Sequence, residues 1–231
     1  IAVQKQDSDV ADASCKGSNF FYLFAGLVLM LLSIPYTTDL PVIGRSSLTL
    51  LFNTFMLIAI WSMTESRRFF YCGVGLALAI AAISASQLFG ITSPALETDG
   101  LFLMLVFASI SAWIAGRDVF CLRRANFNAL IGAFCVYALI GFIWAILFRL
   151  LNIFSLATFS DPLIADHQLP FSELVYFSFV TLASLGYGDI TPTSGLARSL
   201  AYLEALVGQF YLAVLVASLV SAYIARYRSF L

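Results

Sequence analysis

The apolar residues of this 231-residue chain are gathered into runs of 17 residues or more, separated by short stretches of charged and turn-forming residues. On any fold surrounded by water such runs would expose large apolar patches, and their length matches the roughly 17 to 25 residues a helix needs to cross a bilayer. Only 11% of residues are charged, against about 25% in soluble domains, and the mean hydropathy is +0.95. Inside lipid the backbone must satisfy its own polar groups, so these runs predict helices and the chain reads as an all-α membrane protein.

Tracing each run to the charges or turn residues that bound it predicts six transmembrane helices, over 20–36, 47–63, 69–89, 100–116, 127–151 and 196–223. The runs at 20–36, 47–63 and 100–116 have the minimum length, so little tilt is expected of them. Between the last two spans lies 152–195, less apolar overall, with a helical stretch over 171–184 that is too short to cross. A re-entrant segment is expected there. Pro170 suits the start of that helix, and Glu173 in its first turn complements the positive end of the helix dipole. Residues 1–18 are polar, so no cleaved secretory leader is expected and the first span directs insertion.

Charge sorts with this count. Lys5, Lys16, Arg67, Arg68, Arg117, Arg123, Arg124, Arg226 and Arg228, nine of the twelve basic residues, fall on the side that holds both ends of the chain. The positive-inside rule makes that side cytoplasmic, for a multi-pass protein of the cell (inner) membrane with cytoplasmic N- and C-termini. The opposite side collects Asp39, Glu97, Asp99, Asp161, Asp166, Glu173 and Asp189 against Arg45, Arg149 and Arg198. That acid excess would concentrate cations. Cysteines 15, 72, 121 and 135 show no metal-ligand spacing and are expected to be free thiols with a packing role.

The stretch that carries chemistry is Thr181-Leu182-Ala183-Ser184-Leu185-Gly186-Tyr187-Gly188-Asp189, after the short helix and before the last span. It resembles the TVGYGD signature of potassium channels, and the chain is similar to bacterial six-transmembrane channels with a single pore region. The resemblance covers 127–223 and is fainter over the first four spans. It implies a selectivity filter in which backbone carbonyls replace the hydration shell of K+, the permeant ion, with no organic cofactor. The ion-binding rings would come from Ser184, Leu185, Gly186 and Tyr187, with Gly188 completing the strand. Glycine has a physical reason here, because aiming successive carbonyls at one axis needs backbone angles it adopts cheaply. Tyr187 would point away from the ions and brace the filter against the pore helix, and Asp189 would close the outer mouth as a hydrogen-bond partner of Tyr176.

Two departures stand out: Ser184 replaces the usual Thr and Leu185 the usual Val, which keeps the innermost hydroxyl but removes two β-branched side chains. Filter stiffness and the ranking of potassium, rubidium and ammonium are open on that account. By the same carry-over Gly208, nineteen residues past Asp189, is either a hinge in the inner helix or a small residue for close packing. Gln209, Leu212 and Val216 would face a water-filled cavity. Glu204 lies inside a span, where a carboxyl is costly; it either couples pH to conduction or makes a structural hydrogen bond behind the filter. His167 falls in the outer turret and reads as a solvated loop residue.

The organisation expected is a cytoplasmic tail over 1–18, a four-helix domain without voltage-sensor arginines over 19–118, and a pore domain of outer helix, pore helix, filter and inner helix over 119–231. Voltage sensing needs several charges within a span, and 100–116 carries none. Arg117, Arg123 and Arg124 lie beyond it, where lipid headgroups are their expected partners. Few residues follow the last span, so gating by a soluble messenger would need a partner chain. One filter segment per chain implies a homotetramer surrounded by membrane lipids, with no nucleic-acid partner and with an unknown regulatory subunit as a further partner to consider. A non-conducting regulatory subunit and a weakly selective cation channel are the alternatives. An intramembrane serine protease lacks its histidine inside a span, and a transporter of the filter-repeat kind would carry several filter copies.

Overall fold

The computed structural model describes residues 20–34, 67–88, 94–121, 127–160 and 169–228. Among these residues six helices are seen: α1 (Phe20–Ser33), α2 (Arg67–Leu88), α3 (Pro94–Cys121), α4 (Phe127–Ile153), the short α5 (Phe171–Leu182) and α6 (Gly195–Arg228). The predicted span at 47–63, the turret residues Asp161, Asp166 and His167, and Cys15, Arg123 and Arg124 lie outside the described residues.

Among the described residues three helices contain segments long and apolar enough to cross a membrane: Ala95–Arg117 in α3, Asn128–Ile153 in α4 and Gly195–Ser218 in α6. With them the chain is a membrane protein built mainly of α-helices. The apolar parts of α1 and α2, Phe20–Ser33 and Gly73–Ile83, are shorter. Twelve residues of α5 rise about 18 Å, well short of the roughly 30 Å hydrocarbon core.

The helix ends follow local chemistry. α3 begins six residues before the predicted span, because Pro94 suits a first helical position and Glu97 lies in the first turn. α6 begins at Gly195, where Ser194 caps it: the Ser194 Oγ accepts from the N–H of Ala197 at 3.2 Å. One element was not expected in an all-α chain. Residues Phe159–Ser160 (β1) and Thr191–Pro192 (β2) form a two-residue antiparallel ladder, Phe159 opposite Pro192 and Ser160 opposite Thr191.

α4 is the central element. α3 packs along it, α1 lies against it, and α5 is held between α4 and α6. The main apolar cluster joins Phe20, Leu23, Leu27 and Met30 of α1, Ile80 of α2, Leu101, Met104 and Phe107 of α3, and Leu139, Phe142 and Ile146 of α4. A second cluster forms around the β ladder, where the rings of Phe148, Phe159 and Phe177 meet edge to face at 5.2 to 5.6 Å. Ile190, just after the glycine strand, and Ala197 of α6 are buried in it. The chain before the turret and the chain after Asp189 are thereby pinned to the same end of α5.

Candidate functional site

The site starts from the way α5 stops. Helices commonly end on a residue in left-handed conformation, usually glycine, whose N–H and that of the next residue turn back to the last carbonyls. Here Ala183 is the last right-handed residue and Ser184, with φ +56°, takes the glycine's place. The Ser184 N–H donates to the Thr181 carbonyl and the Leu185 N–H to the Val180 carbonyl, each at 2.9 Å. A non-glycine residue in this region costs about 1 kcal/mol, so neighbouring contacts must hold it. The sequence reading carried the helix to 184; the left-handed turn at Ser184 ends it two residues sooner.

From Ser184 the backbone alternates in hand. Gly186 has φ +57° and Gly188 +82°, while Leu185 and Tyr187 are not left-handed. Alternation of hand along a chain can lean successive carbonyls to one side and N–H groups to the other. Residues 183–189 are exposed, and the strand is anchored at its ends by the α5 cap and by buried Ile190. Tyr187 is 66% exposed, and among the described residues its ring makes no ring contact or phenol hydrogen bond.

Polar contacts from three helices close around this strand. Tyr176 Oη of α5 donates to Asp189 Oδ2 at 2.6 Å, and the Ile190 N–H to Asp189 Oδ1 at 2.9 Å. The Tyr176 hydroxyl first, and the Ile190 N–H second, hold the Asp189 carboxyl below the usual carboxylate range. Gln209 Nε2 of α6 donates to Ser184 Oγ at 2.9 Å, a bond that helps keep Ser184 in its left-handed turn. The Leu182 carbonyl, left over by the α5 cap, accepts from Tyr137 Oη of α4 at 3.2 Å.

Glu204 of α6 is fully buried and hydrogen-bonds Ser178 of α5, whose Oγ also lies 2.8 Å from the Gly141 carbonyl of α4. A serine hydroxyl has one hydrogen and cannot donate to both oxygens. The set closes when Glu204 carries a proton and donates to Ser178, which then donates to Gly141. The other carboxyl oxygen, Oε2, is buried without a hydrogen-bond partner, a position that a charged carboxylate would tolerate poorly.

Gly208 is buried where α6 crosses the end of α5. A Cβ there would run into the Leu182 carbonyl oxygen, so close packing is a sufficient reason for the glycine, and α6 continues as helix through it. Gln209, Leu212 and Val216 share the exposed surface of α6 with Leu203, Leu206, Phe210 and Val214. Cys135 is buried, with its thiol directed at the Phe20 carbonyl. Among the described residues no group of His, Cys, Asp and Glu is placed to hold a metal ion.

Residues 130–225 match the family model described as "Ion channel". The matched stretch runs from α4 into the last turns of α6 and contains the whole alternating strand with the Tyr176, Gln209, Tyr137 and Glu204 contacts around it. Over that stretch the chain is similar to ion channels, and a channel is a path for ions rather than an enzyme. No curated protein and no solved structure matches the chain.

Within the matched stretch the sequence reading missed Ser178, Tyr137 and Arg149 as contributors. Ser178 could have been noticed as a polar residue in a mostly apolar short helix, and Arg149 as a cation at the end of an apolar run, which needs a partner. Tyr137 offers no signal, since a tyrosine in a membrane helix is commonplace.

Proposed function

We propose that the chain is one subunit of a potassium-selective channel, in which four copies line a fourfold axis with the carbonyls of residues 184–187. The observation that carries this reading is the alternation of hand at Ser184, Gly186 and Gly188, in a strand held at one end by the α5 cap and at the other by the Tyr176–Asp189 bond. Neutral main-chain oxygens in a row suit a dehydrated monovalent cation, which they can bind and release in single file. In this reading α4 is the outer helix, α5 the re-entrant pore helix and α6 the inner helix. The exposed apolar surface of α6 meets neighbouring copies, and Gln209, Leu212 and Val216 face the cavity. Tyr187 braces against the adjacent subunit.

The same proposal takes six spans, with the run at 47–63 as one of them, and places both termini in the cytoplasm. Opening is not steered by voltage, since the membrane segment of α3 keeps its charges, Glu97, Asp99 and Arg117, towards its ends. The missing β-branches at Ser184 and Leu185 favour a second reading, a channel that passes several monovalent cations with little preference. Flux of K+ and of Na+ into liposomes holding the purified protein separates the two. Wild-type protein is expected to pass K+ far faster, and Gly186→Asp, which puts a side chain and a charge on a left-handed position, to lose that preference while still assembling. Equal fluxes in wild type support the second reading; unchanged preference in Gly186→Asp would falsify the filter assignment. A protein silent to both ions would instead be a regulatory subunit.

A further inference from the structure

Arg149 is a cation buried within the bundle, 8% exposed, near the end of α4. Its Nε and Nη2 donate to Glu97 Oε1 of α3 at 3.2 and 2.5 Å, while Nη1 donates to the Leu169 carbonyl at 2.7 Å. Leu169 is fully buried and leads directly into Pro170, whose carbonyl accepts the N–H groups of Glu173 and Leu174 and so opens α5. One guanidinium thus joins α3, α4 and the first turn of α5. Because that group is planar and rigid, its two faces move together, and a shift at Glu97 is passed on to Leu169. A buried cation that loses its anion is strongly destabilised, which gives the contact leverage that an ordinary surface pair lacks. At its far end α5 runs straight into the left-handed turn at Ser184.

We infer that Glu97 is a positioning residue for the strand 184–188: the helices ahead of the matched domain act on conduction through Glu97, Arg149 and the Leu169 carbonyl, by fixing where α5 begins. Glu97 lies outside residues 130–225, so this gives the first half of the chain a part in the channel that does not depend on charges moving through the membrane field. The inference rests on the filter reading of the strand.

The test uses the full chain reconstituted in bilayers, comparing wild type with Glu97→Gln, which keeps the shape of a side chain that is itself 47% exposed and removes its charge. Amide exchange over 171–176 is expected to rise roughly tenfold in the variant while that over 200–215 stays unchanged. The mean open time of single channels is expected to shorten several-fold at unaltered unitary conductance. Raising K+ on the Glu97 side should lengthen it again, because an ion held by the strand favours the ordered strand by mass action. A residue that serves folding alone would lower the number of active channels and leave open time untouched. Unchanged exchange over 171–176 overturns the inference, and so does faster exchange with an unaltered open time. Wild-type protein that carries no current sinks the filter reading itself, an outcome distinct from an active wild type that Glu97→Gln does not alter.

Discussion

The helices before residue 121 and those after residue 127 are held in different ways. α1 and α3 pack on α4, and α2 on α3, largely through Leu, Phe, Met, Ile and Ala. Around α4, α5 and α6 the contacts that set position are directional: Tyr137 to Leu182, Glu204 to Ser178, Gln209 to Ser184, Tyr176 to Asp189. In lipid, apolar contact alone gives little preference for one helix partner over the solvent, since lipid tails are as apolar as leucine. A hydrogen bond names both its atoms. The half that must hold a strained strand in register uses bonds, and the half that surrounds it uses fit, joined to the first by the Glu97–Arg149 pair.

That contrast can be broken by substitution. The largest effect is expected at Gly208→Val, whose branched side chain would occupy the space of the Leu182 carbonyl, part α6 from α5 and cost about 3 kcal/mol; denaturation of the assembled protein would read it. An effect below about 1 kcal/mol would mean that α6 can slide and that the contact is loose. Next comes Glu204→Ala, expected to cost about 2 kcal/mol by leaving Ser178 short of a partner, whereas Glu204→Gln keeps an N–H donor and should lie close to wild type. If Gln were as damaging as Ala, the proton placed on Glu204 would be wrong. On the other side of the comparison, Ile80→Val in α2 trims packing alone and should cost about 1 kcal/mol with no change in current per channel.

The smallest effect concerns acid. The Asp189 carboxyl is held below its ordinary range by the Tyr176 hydroxyl, so the contribution of that bond is complete above the unfolded value and fades only as pH falls through the lower, folded one. Exchange of the Ile190 amide, corrected for its intrinsic rate, should therefore stay flat from neutral pH down to about pH 4 and rise in stronger acid. A rise between pH 7 and pH 5 would show that the bond is not made in solution.

Much of this architecture is legible in the chain before any coordinates. Apolar runs place α4 to within two residues and the start of α6 to within one, while α6 continues five residues past the expected end, because a membrane helix must satisfy its backbone over its whole length. Ends are harder to read. The charge of Asp99 hides the true start of α3 at Pro94, and the run of apolar and small residues after Val180 hides the turn at Ser184. Glycine spacing points to the alternating strand directly, since left-handed backbone is costly elsewhere. Pairings such as Ser178 with Glu204, or Arg149 with both Glu97 and Leu169, are set by which helices lie side by side. No local pattern in residues 26 or 52 positions apart carries that information.

The central claim is that dehydrated K+ crosses between rows of main-chain oxygens contributed by equivalent strands. Its most direct test is the reversal potential of the purified, reconstituted chain under a tenfold K+ gradient with Na+ balancing the charge. The account predicts a value near the ideal potassium potential, about 60 mV. A reversal potential at zero in a conducting protein would contradict it.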